Sequence, residues 1–154
     1  MKKTNVMRFL DSMNILHEEY EYDGKITNGE EVANVLNENP NQVFKTLVTQ
    51  ANNKNYYVFC IPVNKKLNLK KAASIAKCKS LEMIKQKDLL KTTGYIHGGC
   101  SPLKMIKQFE TFIDESSLNY DKIFISAGKV GYQISISLDE LKKVLDFKLS
   151  DLVD

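Results

Sequence analysis

Val43-Phe44-Lys45-Thr46-Leu47-Val48 is an apolar, largely β-branched run interrupted by one lysine. Such a composition reads as a strand. The polar turn Asn52-Asn53-Lys54-Asn55 separates it from a second strong strand, Tyr56 to Val63, and the two together predict a hairpin with a longer loop. Strand alternation puts Val43, Lys45 and Leu47 on one face and Phe44, Thr46 and Val48 on the other. Two apolar neighbours on its own face keep Lys45 off a fully wet surface. A lysine against an apolar wall can bind phosphate or donate a proton from a lowered pKa. It can also snorkel at a sheet edge, which the run by itself favours.

Outward from the hairpin, Val6, Phe9, Leu10, Met13 and Leu16 fall at helical spacing behind Thr4 as a cap. Glu18 to Tyr22 reads as a short strand, and Asn28 with Glu31 opens a second helix. On the C-terminal side, Asn68 caps a helix over Leu69 to Lys77, and a further helix is expected from Leu81 to Leu90. Gly94-Tyr95-Ile96-His97 is expected to be a short strand; Leu103 to Phe109 fits a helical turn or an irregular connection equally. Thr111 to Asp114 looks extended. Lys122 to Ser126 and Tyr132 to Ile136 are strands flanking a glycine-containing turn, and Ser137 caps a helix over Leu138 to Leu145. The pattern predicts an α+β protein: a mixed, largely antiparallel, curved or barrel-like sheet surrounded by helices. Residues 1–154 read as one domain, with no repeat, linker or low-complexity tract.

The chain is 43% hydrophobic and 27% charged, as globular proteins are. No stretch approaches the ~20 apolar residues of a membrane span, and Met1-Lys2-Lys3-Thr4-Asn5 leads into no secretory h-region. A cytoplasmic location is expected, with no membrane partner. A net charge of +3 permits an RNA partner without requiring one. Cys60, Cys78 and Cys100 form no CxxC pair, and His17 and His97 stand far apart. A structural zinc site or disulfide framework is therefore not expected.

Two further segments break their local pattern. Gly98-Gly99-Cys100-Ser101-Pro102 combines backbone freedom with a stiffening proline, and such a loop can present N–H donors to a developing oxyanion. Ser126-Ala127-Gly128-Lys129 lacks the spacing of a nucleotide-binding P-loop, which argues against nucleoside triphosphate hydrolysis. Ser126 can bond a substrate or cap its own turn. Tyr20 and Tyr22 can stack on a base, although tyrosines on a half-buried strand are more often core or edge residues. Cys100 and His97 invite a nucleophile-and-base reading, but no acidic residue between Gly94 and Pro102 orients the histidine. Cys100 reads better as a small filler.

A lysine in a K-T-L strand, a G-G-x-S-P loop and an S-x-G-K turn, in this order, resemble the YbaK/EbsC family of freestanding Cys-tRNA(Pro) deacylases. That family is related to the editing insertion domain of prolyl-tRNA synthetase. The resemblance runs over nearly the whole chain, from Glu18-Glu19-Tyr20-Glu21-Tyr22-Asp23 to Ser126-Ala127-Gly128-Lys129. It implies an aminoacyl-tRNA hydrolase acting in trans beside prolyl-tRNA synthetase on mischarged tRNA(Pro), with no cofactor, metal or DNA. Lys45 matches the lysine that holds the terminal adenosine or its phosphate, and Gly98 and Gly99 match the loop that holds the ester carbonyl. Tyr20, Thr46 and Ser126 match positions lining the substrate pocket. The resemblance implies that the substrate's own thiol attacks its ester, releasing a thiolactone. Gln133 stands where some relatives carry aspartate, and the loop Ile26-Thr27-Asn28-Gly29 is a residue shorter than in relatives with an aromatic pocket residue there. Both bear on the amino acid accepted, so an editing factor for Ala-tRNA(Pro) is one alternative. A non-catalytic tRNA- or nucleotide-binding module is the other.

Overall fold

The computed structural model describes residues 1–154. Thr4 caps helix α1 (Asn5–Ser12), its side-chain oxygen accepting the Met7 N–H, and the helix buries Val6, Met7 and Leu10. Strand β1 (Glu18–Glu21) follows, and then helix α2 (Gly29–Val35), where the Asn28 side chain accepts from the N–H groups of Glu30 and Glu31. Each cap satisfies amide groups that the first helical turn cannot engage, worth about 1 kcal/mol.

The predicted hairpin forms as β2 (Phe44–Ala51) and β3 (Tyr56–Pro62), antiparallel, with Lys45 opposite Ile61 and Thr46 opposite Cys60. Asn68 caps α3 (Leu69–Ala76). After it come β4 (Leu81–Met83), α4 (Gln86–Thr93), β5 (Glu110–Asp114), a 3-10 helix over Glu115–Asn119, β6 (Ile123–Ser126), β7 (Tyr132–Ile136), α5 (Leu138–Lys142) and β8 (Lys148–Ser150).

The strands make two sheets, β1-β7-β6 and β4-β2-β3-β5-β8. The first is antiparallel throughout; in the second, β3–β5 and β5–β8 are parallel. A bridge between Val43 and Phe124, with the Phe124 N–H donating to the Gln42 carbonyl, joins the sheets at one corner. The mixed, largely antiparallel α+β architecture agrees with the expectation from sequence, although the sheets do not close into a barrel.

Ile123, Ile125, Ile134 and Ile136 point from the three-stranded sheet onto Val6, Met7 and Leu10 of α1 and Leu141 of α5. On the larger sheet, Phe59 and Phe112 stack at 5.3 Å and pack with the alanines of α3. Each such large side chain, buried to within 2% exposure, contributes about 1.5–3 kcal/mol over leaving it in water.

Two elements differ from the sequence reading. Leu81 to Leu90 is not one helix, because Leu81–Met83 pair with Ala51–Thr49 of β2 before α4 begins. Pairing with a strand already in place overrides a helical spacing of apolar residues. Gly94 to His97 is not a strand. Gly94 has φ +87° and terminates α4 as its left-handed cap, and the buried Thr93 hydroxyl accepts the Tyr95 N–H. From there to Phe109 the chain is irregular.

Candidate active site

The register of β2 creates an opening. β3 covers one side of β2 over its whole length, whereas β4 pairs only with Thr49 to Ala51 on the other side. Phe44 to Leu47 therefore present a free strand edge, and a cavity of about 460 Å³ lies along it. Residues from both faces of the strand reach this cavity because it follows the edge. Lys45, Thr46 and Leu47 line it together with Ser126 and Gln133 of the other sheet. Thr27 with the first turn of α2, Gly29 and Glu30, and a loop through His97, Gly98 and Cys100 complete the wall.

Lys45 is half-buried and forms neither a salt bridge nor a side-chain hydrogen bond. Burial lowers its pKa, and the charge of Glu30 across the cavity partly opposes that shift. An ammonium that forms no salt bridge, set in a partly desolvated cavity, is suited to an anionic group brought by a ligand. Thr46 beside it holds the Cys60 thiol at 3.7 Å from its hydroxyl. Cys60 is fully enclosed, and burial pushes its thiol up to about 12.

The two glycines of the loop through residues 98–102 are packed too closely to carry side chains. Gly98 sits at φ +88°, and a Cβ there would come within 3.0 Å of the Thr27 side chain. A side chain is thus excluded twice, by conformation and by contact. Gly99 is packed differently: a Cβ would lie 2.9 Å from the Val130 nitrogen, and its N–H donates to the Ile96 carbonyl at 3.0 Å. Gly99 does not line the cavity, and its N–H is committed to that turn. Of the two glycines matched to the carbonyl-holding loop, only Gly98 borders the cavity. Of the loop residues lining the cavity, His97, Gly98 and Cys100 all have backbone N–H groups without a protein acceptor, and Gly98 and Cys100 belong to the glycine segment.

Cys100 is not an activated nucleophile. Burial, then the neighbouring Cys60 sulfur, raise its thiol to about 12 against a smaller opposing contact with Thr93. No hydrogen bond joins it to His97, although both line the cavity. A thiol that stays protonated at neutral pH attacks esters poorly.

Of the other expected residues, Ser126 lines the cavity while its oxygen accepts the Gly128 N–H at 3.1 Å. It caps its turn, and the hydroxyl proton is not used in that bond. Tyr20 lies outside the lining. Its hydroxyl meets Ser135 at 3.2 Å, and its ring packs edge-on against Phe124. Tyr22, two positions along the same chain segment, borders the cavity instead, as do Phe44 and Tyr132.

Gln133 is 3% exposed and leans on a residue that sequence reasoning did not single out. Its side-chain N–H donates to Glu38 at 3.0 Å, leaving Gln133 Oε1 and Glu38 Oε2 buried without partners. Burial, against the Gln133 bond and the charge of Lys122, raises the Glu38 carboxyl to about 7. A proton on Glu38 supplies a donor where the ionised pair has two orphaned acceptors. Glu38 follows α2 in a polar stretch, Asn37-Glu38-Asn39, that gives no hint of burial.

Asp11, His17 and Glu19 bring ligand-type atoms within 4.8 Å of one another, far from this cavity in sequence. The Lys3 ammonium already pairs with that cluster, 2.7 Å from Glu19 and 3.1 Å from Asp11.

Residues 24–144, which include every residue of the cavity except Tyr22, match the model of the aminoacyl-tRNA editing domain. The chain belongs to that family. It is 39% identical over 153 residues to an Enterococcus faecalis protein, EbsC, provisionally named a Cys-tRNA(Pro)/Cys-tRNA(Cys) deacylase; the match covers 98% of this chain and 93% of that one. A crystal structure provisionally described as a trans-editing enzyme for prolyl-tRNA synthetase superposes with TM-score 0.85 at 18% identity, covering 100% of this chain and 99% of the other. A hypothetical protein superposes with TM-score 0.89 at 20% identity, covering 98% and 100%. At such identities the superpositions speak for a common fold.

Proposed function

We propose that this chain is a deacylase of mischarged aminoacyl-tRNA, that its substrate is Cys-tRNA(Pro), and that it acts in trans in the cytoplasm beside prolyl-tRNA synthetase. The observation that carries the reading is the unpaired Lys45 facing a glycine loop with free amide donors, in a cavity that holds no activated protein nucleophile. Lys45 anchors the terminal adenosine through its phosphate. The N–H groups of Gly98 and Cys100 receive the ester oxygen as it gains negative charge, and Ser126, Thr46 and Gln133 border the aminoacyl group.

The nucleophile is then the substrate's own thiol. Its sulfur forms a bond to the ester carbonyl carbon, the bond from that carbon to the ribose 3′ oxygen breaks, and the thiol proton ends on the departing oxygen. A cyclic thiolactone and free tRNA leave. Holding sulfur and carbonyl in one small cavity supplies the proximity such a step needs.

Parallel deacylation of Cys-, Ala- and Pro-tRNA(Pro), with and without prolyl-tRNA synthetase, tests the reading. Cys-tRNA(Pro) is expected to be cleaved fastest, with faster clearance when the synthetase is present. Equal rates on Ala-tRNA(Pro) would remove the thiol from the mechanism, and no cleavage of any substrate would leave a binding module.

A further inference from the structure

A second cavity, about 530 Å³, adjoins the first and shares Tyr132 with it. The same β6–β7 turn sends Ser126 and Gln133 to one cavity and Ala127 to Lys129 to the other. The walls of the second cavity carry Lys2, Lys3, Arg8, Lys104 and Lys129, and no aspartate or glutamate. These are five of the 22 basic residues in a chain whose net charge is only +3. Lys3 is held by Glu19 and Asp11; the other four are exposed and form no salt bridge. Gathering like charges without counter-charges works against the compact state. Such an arrangement is relieved by an anion.

Two other features of the groove agree in sign and shape. The first turn of α1 opens onto it through Asn5 and Val6, with backbone N–H groups the helix cannot engage and no acidic side chain to neutralise them. Tyr95 and Tyr132 offer aromatic surface, with the Lys129 ammonium 5.8 Å from the centre of the Tyr132 ring. A cationic groove with interleaved aromatic rings is the pattern that follows single-stranded nucleic acid.

We infer that this groove binds the phosphodiester backbone of the single-stranded 3′ end of tRNA and leads its aminoacylated adenosine past Tyr132 into the Lys45 cavity. The identity of the polyanion rests on the proposed editing function; the distribution of charge does not.

The test compares Arg8→Glu/Lys104→Glu with a control of equal charge change outside both cavities, Lys65→Glu/Lys66→Glu, after thermal melts confirm that both fold. Binding of uncharged tRNA and of a CCA-ended oligoribonucleotide is measured across salt concentrations. Deacylation is measured on Cys-tRNA(Pro) and on 3′-O-cysteinyl adenosine, which carries no phosphate. The groove variant is expected to lose about tenfold or more in tRNA affinity at low salt. Its slope of log affinity against log salt should flatten by about 2, one for each cation removed, with cysteinyl-adenosine turnover unchanged. Wild-type affinity in the groove variant, or an equal loss in the control, overturns the inference. Because the binding arm uses uncharged RNA, failure of every deacylation would count against the proposed function and leave the groove to be judged on binding.

Discussion

On the sheet side of the cavity, Lys45, Thr46, Ser126 and Gln133 stand on paired strands, each at a position set by ladder register. On the loop side, Gly98 and Cys100 border the cavity from an irregular segment, shaped by one positive φ and by close packing against Thr27. The sheet wall delivers side chains, and side chains can be exchanged without rebuilding the backbone. The loop wall delivers backbone, so substitution there changes shape and amide direction together. Chemistry lost from the first wall should leave stability intact; chemistry lost from the second should not.

Lys45→Ala gives the largest expected effect, a fall in kcat/KM for Cys-tRNA(Pro) of about 10²–10³-fold, the order seen when one preorganised electrostatic contact is removed. Its melting temperature should match the wild type. A mutant within about tenfold of wild-type turnover would take Lys45 out of the site.

Gly98→Val is expected to lose about 10²-fold in activity and also to melt earlier. A β-branched residue at φ +88° against Thr27 stores about 1–3 kcal/mol of strain. An unchanged melt with lost activity would mean that the loop wall is as exchangeable as the sheet wall.

Glu38→Gln sharpens the contrast through pH. The folded-state carboxyl lies at about 7, above the ordinary 4.5, so the folded protein binds this proton more tightly than the unfolded chain. That contribution to stability is complete below about 4.5 and is lost as pH rises through about 7. Melting temperature measured across this window should slope downward in the wild type and less steeply in the mutant. Parallel curves would show that Glu38 does not hold the proton.

Cys100→Ala is the smallest expected change, a deacylation rate within about twofold of wild type, since the thiol is protonated and only its backbone N–H is used. Complete loss would restore a protein nucleophile to the mechanism.

Much of this molecule was legible before folding. The caps at Thr4, Asn28, Asn68 and Ser137, the β2–β3 and β6–β7 hairpins and the anomalous lysine depend on short-range rules of spacing and backbone chemistry. The α4 boundary was not legible, because Leu81–Met83 became a strand only through the edge that β2 offered. Lys45 stood out because it broke an apolar run, whereas Tyr22 and Glu38 broke nothing. Their places follow from chain segments distant in sequence: Tyr22 from the bond of its N–H to Gly131, Glu38 from its meeting with Gln133.

By itself the sequence determined the mixed sheet, the hairpin that carries Lys45, and the glycine loop as the second candidate element, since each is written in local periodicity and residue type. Tertiary structure decided which of those residues share a cavity. It turned Tyr20 away and brought Tyr22 in, committed the Gly99 N–H to a turn while leaving those of Gly98 and Cys100 free, and set the half-buried Glu38 against Gln133. The physical reason is that strand register and loop closure are long-range conditions. A free β2 edge exists only where β4 stops pairing, and no residue in Phe44 to Leu47 encodes where that happens.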